Sequence, residues 1–468
     1  MSYLLLLFYL SALLYLIKKV SFFHSLHFGF KITAAVFLLK FLGGLALYFV
    51  YYYIYPDRIS GDVFKYFDDG NILFSALRQN PADYFRMVTG IGADAPHLIQ
   101  YYDTCHFWIK EFNYGLLNDN RIVIRFNALI RLISMGNIHI HTLFMSFLSF
   151  TGLWGIFKVF EPQFKDKKWG LLLAVFFFPS VWFWTSGLLK EGLLMFAFGM
   201  LFYFACRWLR GNITGWLLLG MAVSVAILIF SKFYVLVAAL PAFMYLILNR
   251  YWKWKFPIAQ FLLVHLLLLV VLWFSKPIIG LDFPKIVAQK QHDFINFTNS
   301  LTQVGSQIEM KELEPTFWGM VQQTPQALVN SFFRPSVLEI RNPLTALAAI
   351  ENLLILLLLL GAVFFFQQKN NLPPLFWFSV SYVLILFVLI GLTTPILGAL
   401  VRYKAPALPF LGIALLYLID FSKIRTFLRF KRHKASEIRN QYPVTNHIFN
   451  GASSHNIFTP FDIDTDDQ

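Results

Sequence analysis

Charge is scarce in this sequence, and acidic charge is scarcest. Only 14% of its 468 residues are charged, with 25 Asp and Glu against 39 Lys and Arg. So little charge beside 58% hydrophobic and 19% aromatic residues excludes an ordinary water-soluble domain. Cysteine is almost absent. Cys105 and Cys206 alone cannot frame a disulfide-rich scaffold, and the topology argued below puts them on opposite sides of a membrane, so no disulfide is expected. There is no Walker loop, no Rossmann fingerprint, no zinc spacing and no nucleic-acid motif. The net charge of +14 therefore points to cytoplasmic Lys and Arg facing anionic lipid. No internal repeat is visible. The apolar run 2–17 carries Lys18 and Lys19 after it, not before it, and lacks a small-residue cleavage site. It is expected to be a retained helix, not a cleaved signal.

What the chain has in abundance is long apolar runs. About 20 such residues cross a bilayer as a helix. On that rule spans are expected near 2–17, 32–55, 138–160, 169–185, 188–209, 214–230, 233–248, 257–275, 345–366, 375–392 and 405–421. The expected fold is all-α, a polytopic transmembrane bundle of about eleven spans. The integral domain would run over 1–421. The segment 422–468 would be a cytoplasmic tail, basic at first and then polar and poorly ordered down to its FDIDTDDQ end.

Short-loop basic residues set the orientation. The strongest signal is Lys423, Arg425, Arg429, Lys431, Arg432 and Lys434. Counting back, the loops with Lys369, with Arg250, Lys253 and Lys255, with Arg207 and Arg210, with Lys165, Lys167 and Lys168, and with Lys18 and Lys19 fall on the same side. The N-terminus and two long segments, 56–137 and 276–344, are then outside. Within the first, 121–136 reads as a helix with Arg121, Arg125, Asn127 and Arg131 on one face and apolar residues around the rest. That pattern suits a helix lying in the membrane interface, either as a plain brace or as part of a site.

Four polar clusters interrupt the apolar chain. The first is Pro56 to Gly70, PDRISGDVFKYFDDG, holding Asp57, Asp62, Asp68 and Asp69 just after a span. Asp62 suits either a base at the membrane surface or a cap on the next helix. The second runs from Phe178-Pro179-Ser180 to Lys190-Glu191-Gly192, where an apolar helix breaks and re-enters with an ion pair at its lip. Such charges are costly at membrane depth, and serve either a ligand or a lock between helix ends. The third is Arg402-Tyr403, followed by Pro406 and Pro409. Its guanidinium suits a phosphate, or an anchor at the interface. The fourth is Arg334-Pro335 and Arg341, with Glu351 and Asn352 in the following span. Glu351 needs a partner there, and an outer-face arginine would serve. His139 and His141 make a poor chelate on a helix, and His97, Asp103 and His106 show no specific ligand spacing.

A long outer segment directly after an early span, opening with Asp62 and then Tyr66 four residues on, resembles the GT-C membrane glycosyltransferases, of the family 39-like kind. The Trp184–Gly192 stretch is similar to a motif of bacterial sugar-transferring membrane proteins, and the Arg402–Pro409 stretch to the end of the GT-C core. The resemblance implies a transferase using a polyprenyl-phosphate or diphosphate sugar in cell-envelope polysaccharide biosynthesis. Its acceptor would be a glycan, lipid or protein. It would work at the outer (periplasmic or extracellular) face of a bacterial inner membrane. Asp62 would be the catalytic base. Tyr66, Asp68, Asp69, Lys190, Glu191, Arg334, Arg402 and Tyr403 would contact substrate, with Arg402 and Lys190 on the phosphate and Arg334 in reserve. Val63 stands where the family often has a second acid, so that acid would come from Asp68, Asp69 or elsewhere. The helix 2–17 precedes the family's usual start. Some members use a divalent metal; no residue here is assigned to one. An O-antigen polymerase or ligase is the nearest alternative, and a transporter or lipid flippase a more distant one.

Overall fold

The structure, a computed structural model, describes residues 2–54, 57–109, 118–252, 254–300, 306–368, 372–424 and 426. Pro56, Lys253, Lys369, Arg425 and the tail after residue 426 lie outside the described residues. Two compact units are present, Met1–Ile419 and Asp420–Gln468. In the second, the Asp420 carboxylate accepts from the Ser422 amide at 2.9 Å and opens a short helical turn.

The first unit is helical throughout, with short 3-10 turns and two isolated antiparallel bridges among the described residues. The chain begins with α1 (Ser2–Lys19) and α2 (Phe30–Ile54). The first long segment folds into α3 (Asp62–Gln79), α4 (Pro81–Thr89), the single turn α5 (Ile99–Tyr102) and α6 (Arg121–Ser134). Then follow α7 (Ile138–Phe160), α8 (Lys168–Phe176), α9 (Pro179–Trp184), α10 (Lys190–Leu209), α11 (Gly215–Tyr251) and α12 (Pro257–Trp273). The second long segment holds α13 (Ser275–Ile279), α14 (Phe283–Ser300) and α15 (Phe317–Phe333). The unit closes with α16 (Pro343–Phe364), α17 (Pro374–Thr393), α18 (Leu397–Lys404) and α19 (Leu408–Leu418).

Among the described residues seven helices are long and apolar enough to cross a membrane, or eight if α18 and α19, bent by 63°, count as one span. They are α1, α2, α7, α10, α11, α16 and α17, and they make this an integral membrane protein. Fewer than the expected eleven runs qualify by length and composition, for local reasons. The run 169–185 is split into α8 and α9, because Pro179 cannot continue a helix and opens the next one instead. The run 257–275 forms only the 17 residues of α12, and 405–421 only the 11 of α19. The runs 214–230 and 233–248 are joined in α11.

That join hides a reversal. Lys232 has a non-helical backbone, φ −145° and ψ 83°. Gly220 lies against the Phe204 ring, Lys232 meets Glu191 at 3.1 Å, and Phe243 lies 6.5 Å from Phe202, ring to ring. The chain thus climbs the flank of α10 to Lys232 and descends again to Phe243, as two antiparallel limbs. Close packing of the core follows from small residues. A Cβ on Gly152 would lie 2.2 Å from the Met195 carbonyl oxygen, and one on Gly199 only 2.1 Å from that of Gly152, so α7 and α10 cross backbone to backbone.

The bundle has two chemically different ends. At one, Lys158 Nζ donates to the His24 carbonyl at 2.6 Å, and Lys167 Nζ to the Leu416 and Ile419 carbonyls at 2.7 and 2.6 Å. The turns after α1, α7 and α16 meet there, and the Phe261–Trp377 ring contact brings in the turn with Arg250 and Lys255. At the other end lie both long segments. Asp62 reaches Arg402, and residues 306–308 pair with 395–397 through Ile308 N to Pro395 O at 2.7 Å and Leu397 N to Ser306 O at 3.0 Å. Basic turns and long segments are therefore segregated along the bundle. Cys105 and Cys206 are both free.

Candidate active site

Three short structural devices carry charge to the end where the long segments meet. The first is the start of α3. Asp62 is its first residue, after Gly61 in extended conformation, and its carboxylate turns away from its own helix to Arg402 Nη1 at 3.0 Å. The helix cap open to it in the sequence is not what the geometry uses. α3 is held by α6: a Cβ on Gly70 would lie 2.5 Å from the Asn127 Cβ. α6 is in turn pinned to α7 through the fully buried His141, whose ring nitrogens meet Asn127 Oδ1 at 2.8 Å and Ser134 Oγ at 2.7 Å.

The second device is the break between α9 and α10. The fully buried Lys40 of α2 donates to the Val181 carbonyl at 2.7 Å and to Thr185 Oγ1 at 2.5 Å, satisfying the end of α9. Ser146 Oγ donates to the Ser186 carbonyl at 2.6 Å. The chain then turns into α10, whose first residues are Lys190 and Glu191.

The third device is α18, eight residues that present Arg402 and Tyr403. Two residues on, the fully buried Lys404 sits 3.7 Å from Glu351 and donates to Asn352 Oδ1. Glu351 also accepts from the amide and hydroxyl of Ser180 at 2.6 and 2.9 Å. An outer-face arginine was expected to neutralise Glu351; the structure supplies Lys404, because α18 folds inward and carries its last residue down beside α16.

These devices enclose a cavity of about 190 Å³ lined by Asp62, Tyr66, Phe107, Asn120, Lys190, Lys232, Ala399, Arg402 and Tyr403. Arg402 Nη2 meets Glu191 Oε2 at 3.3 Å, and Lys232 Nζ meets Glu191 Oε1 at 3.1 Å. Lys190 Nζ donates to Asp119 Oδ2 at 2.7 Å and to Asn120 Oδ1 at 2.8 Å, and the Tyr66 hydroxyl donates to the same Asn120 oxygen at 2.9 Å. Three cations thus face three carboxylates. Burial is graded: the Glu191 side chain is fully covered, whereas Asp62 is 31% exposed and faces the mouth. Burial also pushes the Tyr66 phenol well above its ordinary pKa, so it stays a donor. Comparison with known protein families, with curated proteins and with solved structures finds no match for this chain.

Of the expected site residues, the structure brings together Asp62, Tyr66, Lys190, Glu191, Arg402 and Tyr403. It does not bring Asp68, Asp69 or Arg334 to the cavity. Asp68 is held in a two-bond clasp by Arg58, at 2.8 and 2.7 Å. Asp69 is fully buried two turns along α3 from Asp62, and its two oxygens accept from the His106 and Phe107 amides at 2.8 Å each. Burial raises its pKa, against the lowering effect of those two amides. Arg334 is spent on Glu339, 2.5 Å away within its own loop. Sequence reasoning missed Lys232, Phe107, Asn120 and Asp119. Lys232 did carry a signal, a lone cation between two apolar runs. Among the described residues no group of three or more His, Cys, Asp or Glu converges as a metal site. In α6 the arginines face inward: Arg121 and Arg125 lie over the Trp108 ring at 4.8 and 5.3 Å, while Leu129, Leu132 and Ile133 are exposed.

Proposed function

We propose that the chain is a GT-C type membrane glycosyltransferase of about eleven spans. Its cavity would open on the non-cytoplasmic face of a bacterial-type inner membrane. It would move a sugar from a polyprenyl-phosphate or diphosphate donor to a hydroxyl acceptor. One observation carries the reading: Asp62 and Arg402, 340 residues apart, meet at 3.0 Å in a cavity that also holds Lys190. A base for the acceptor and a clamp for the departing phosphate are what such a transfer needs side by side.

The chemistry follows from these groups. The acceptor oxygen attacks the anomeric carbon, and its proton passes to the Asp62 carboxylate. The bond from that carbon to the phosphate oxygen breaks, and the phosphate leaves with the electron pair. Arg402 meets the charge developing on it, with Lys190 beside it. The cavity walls favour this reading over a polymerase or ligase built on a late outer loop. Asp62, Tyr66, Phe107 and Asn120 all come from the first long segment, and none of the lining residues among those described comes from the second.

The test is sugar transfer from a synthetic polyprenyl-phosphate donor by the purified protein in lipid nanodiscs. Asp62→Asn keeps the shape of the side chain and removes the base, so turnover should fall by about 10²–10⁴ with donor binding retained. Arg402→Lys keeps the charge and loses the planar fork, so it should weaken donor binding more than folding. Full activity in Asp62→Asn would contradict the base assignment.

A further inference from the structure

The three cations of the cavity are not equivalent, and their partners separate them. Lys190 is paired one to one with Asp119 and also bonds Asn120, so its charge is already balanced by the first long segment. Lys232 and Arg402 instead share one fully buried carboxylate, each on a different oxygen of Glu191. One carboxylate between two cations leaves a single positive charge, and Asp62 at the mouth covers it in the resting state. Arg402 Nε is buried with no hydrogen-bond partner, although the other two guanidinium nitrogens are engaged. Lys232 lies 3.6 Å from the centre of the Tyr403 ring, which fixes the ammonium against the cavity wall without neutralising it. The backbone adds to the field. α10 begins at Lys190, and the descending limb of α11 begins after the break at Lys232. Two helix N-termini thus start at the cavity that holds the three cations.

We propose that Lys232 is the second cation of the phosphate subsite, paired with Arg402 across Glu191, and that a phosphate seated there displaces Asp62 from the guanidinium. This rests on the glycosyltransferase reading and adds two things to it. It names a binding residue on the turn of α11. It also sets an order of events, in which the base is released only once the donor's phosphate has taken its place on Arg402. With a polyprenyl-phosphate sugar as donor, charge is conserved in the exchange, since its singly charged phosphodiester replaces one carboxylate.

The experiment uses the full chain in phosphatidylcholine nanodiscs. Binding is titrated with a polyprenyl phosphate and, separately, with phosphatidylglycerol, while carbodiimide labelling of Asp62 is followed by mass spectrometry. Wild type should bind polyprenyl phosphate, and Asp62 labelling should rise on binding. Lys232→Met should lose about 10- to 100-fold in affinity, the scale of one charge-assisted hydrogen bond, and Lys232→Arg should recover most of it. If Lys232→Met fails to fold, Lys232→Gln removes the charge while keeping a polar partner for Glu191, and should show the same loss. Unchanged affinity in a folded variant lacking the Lys232 charge would overturn its place in the subsite. Phosphate binding that leaves Asp62 labelling level or lowers it would overturn the displacement. Equal binding of phosphatidylglycerol would mean a general lipid-headgroup site. Wild type that binds neither phosphate would overturn the glycosyltransferase reading itself.

Discussion

Glu351 and Lys404 are both fully buried, and each depends on the other for its charge. Removing one partner of such a pair strands the other, at about 3–5 kcal/mol. Glu351→Gln should therefore lower yield and melting temperature in detergent well before it affects any ligand, and a variant that melts with wild type would show the pair to be dispensable. Asp69 acts at the same scale by a different route. Its two oxygens serve two backbone amides, and an asparagine can accept from only one of them in that pose. Asp69→Asn should cost about 1–3 kcal/mol of stability through the amide left unpaired. Thermal unfolding measures that loss. Asp62 differs from both, because its partner lies across the cavity and its other side faces the mouth.

Among elements, α11 makes the sharpest claim. Its limbs run antiparallel, so residues 231–233 should lie at the same membrane side as the two long segments, with Arg250 at the other. Single cysteines at the exposed position 233, at 250 and within 306–316, labelled by an impermeant maleimide in intact cells, should report 233 and 306–316 together and 250 opposite. Labelling of 233 and 250 from one side would mean a single kinked span and would reverse the parity of everything after it. This element also marks the limit of sequence reading. Apolar runs of the right length located α1, α2, α7, α10, α16 and α17, because membrane burial depends on length and hydropathy alone. Asp62, Lys190, Glu191 and Arg402 stood out because charge at the end of an apolar run is costly. Lys232, a lone cation between the runs 214–230 and 233–248, carried the same signal but was not assigned to the site, since its contact with Glu191 is made only when the two limbs fold against α10. Phe107, Asn120 and Asp119 come from a segment whose course is set by Asp69, Trp108 and the arginines of α6. Asp68 looked like its neighbours in the sequence, but Arg58, ten residues away, claims it.

At the scale of the whole molecule, function follows from segregation. Basic turns collect at one end of the bundle and the two long segments at the other, and the helix breaks between α9 and α10, at Lys232 and at the α18–α19 bend deliver charge to the second end. The central claim is that this end holds a lipid-borne phosphate between the first long segment and α18. Cryo-electron microscopy of the protein in nanodiscs with a polyprenyl-phosphate sugar tests it most directly. The account predicts phosphate density within hydrogen-bonding distance of Arg402 and Lys232, with Asp62 turned toward the sugar. Phosphate density at the basic end, beside Lys158 and Lys167, with the Asp62–Arg402 pair intact would contradict it.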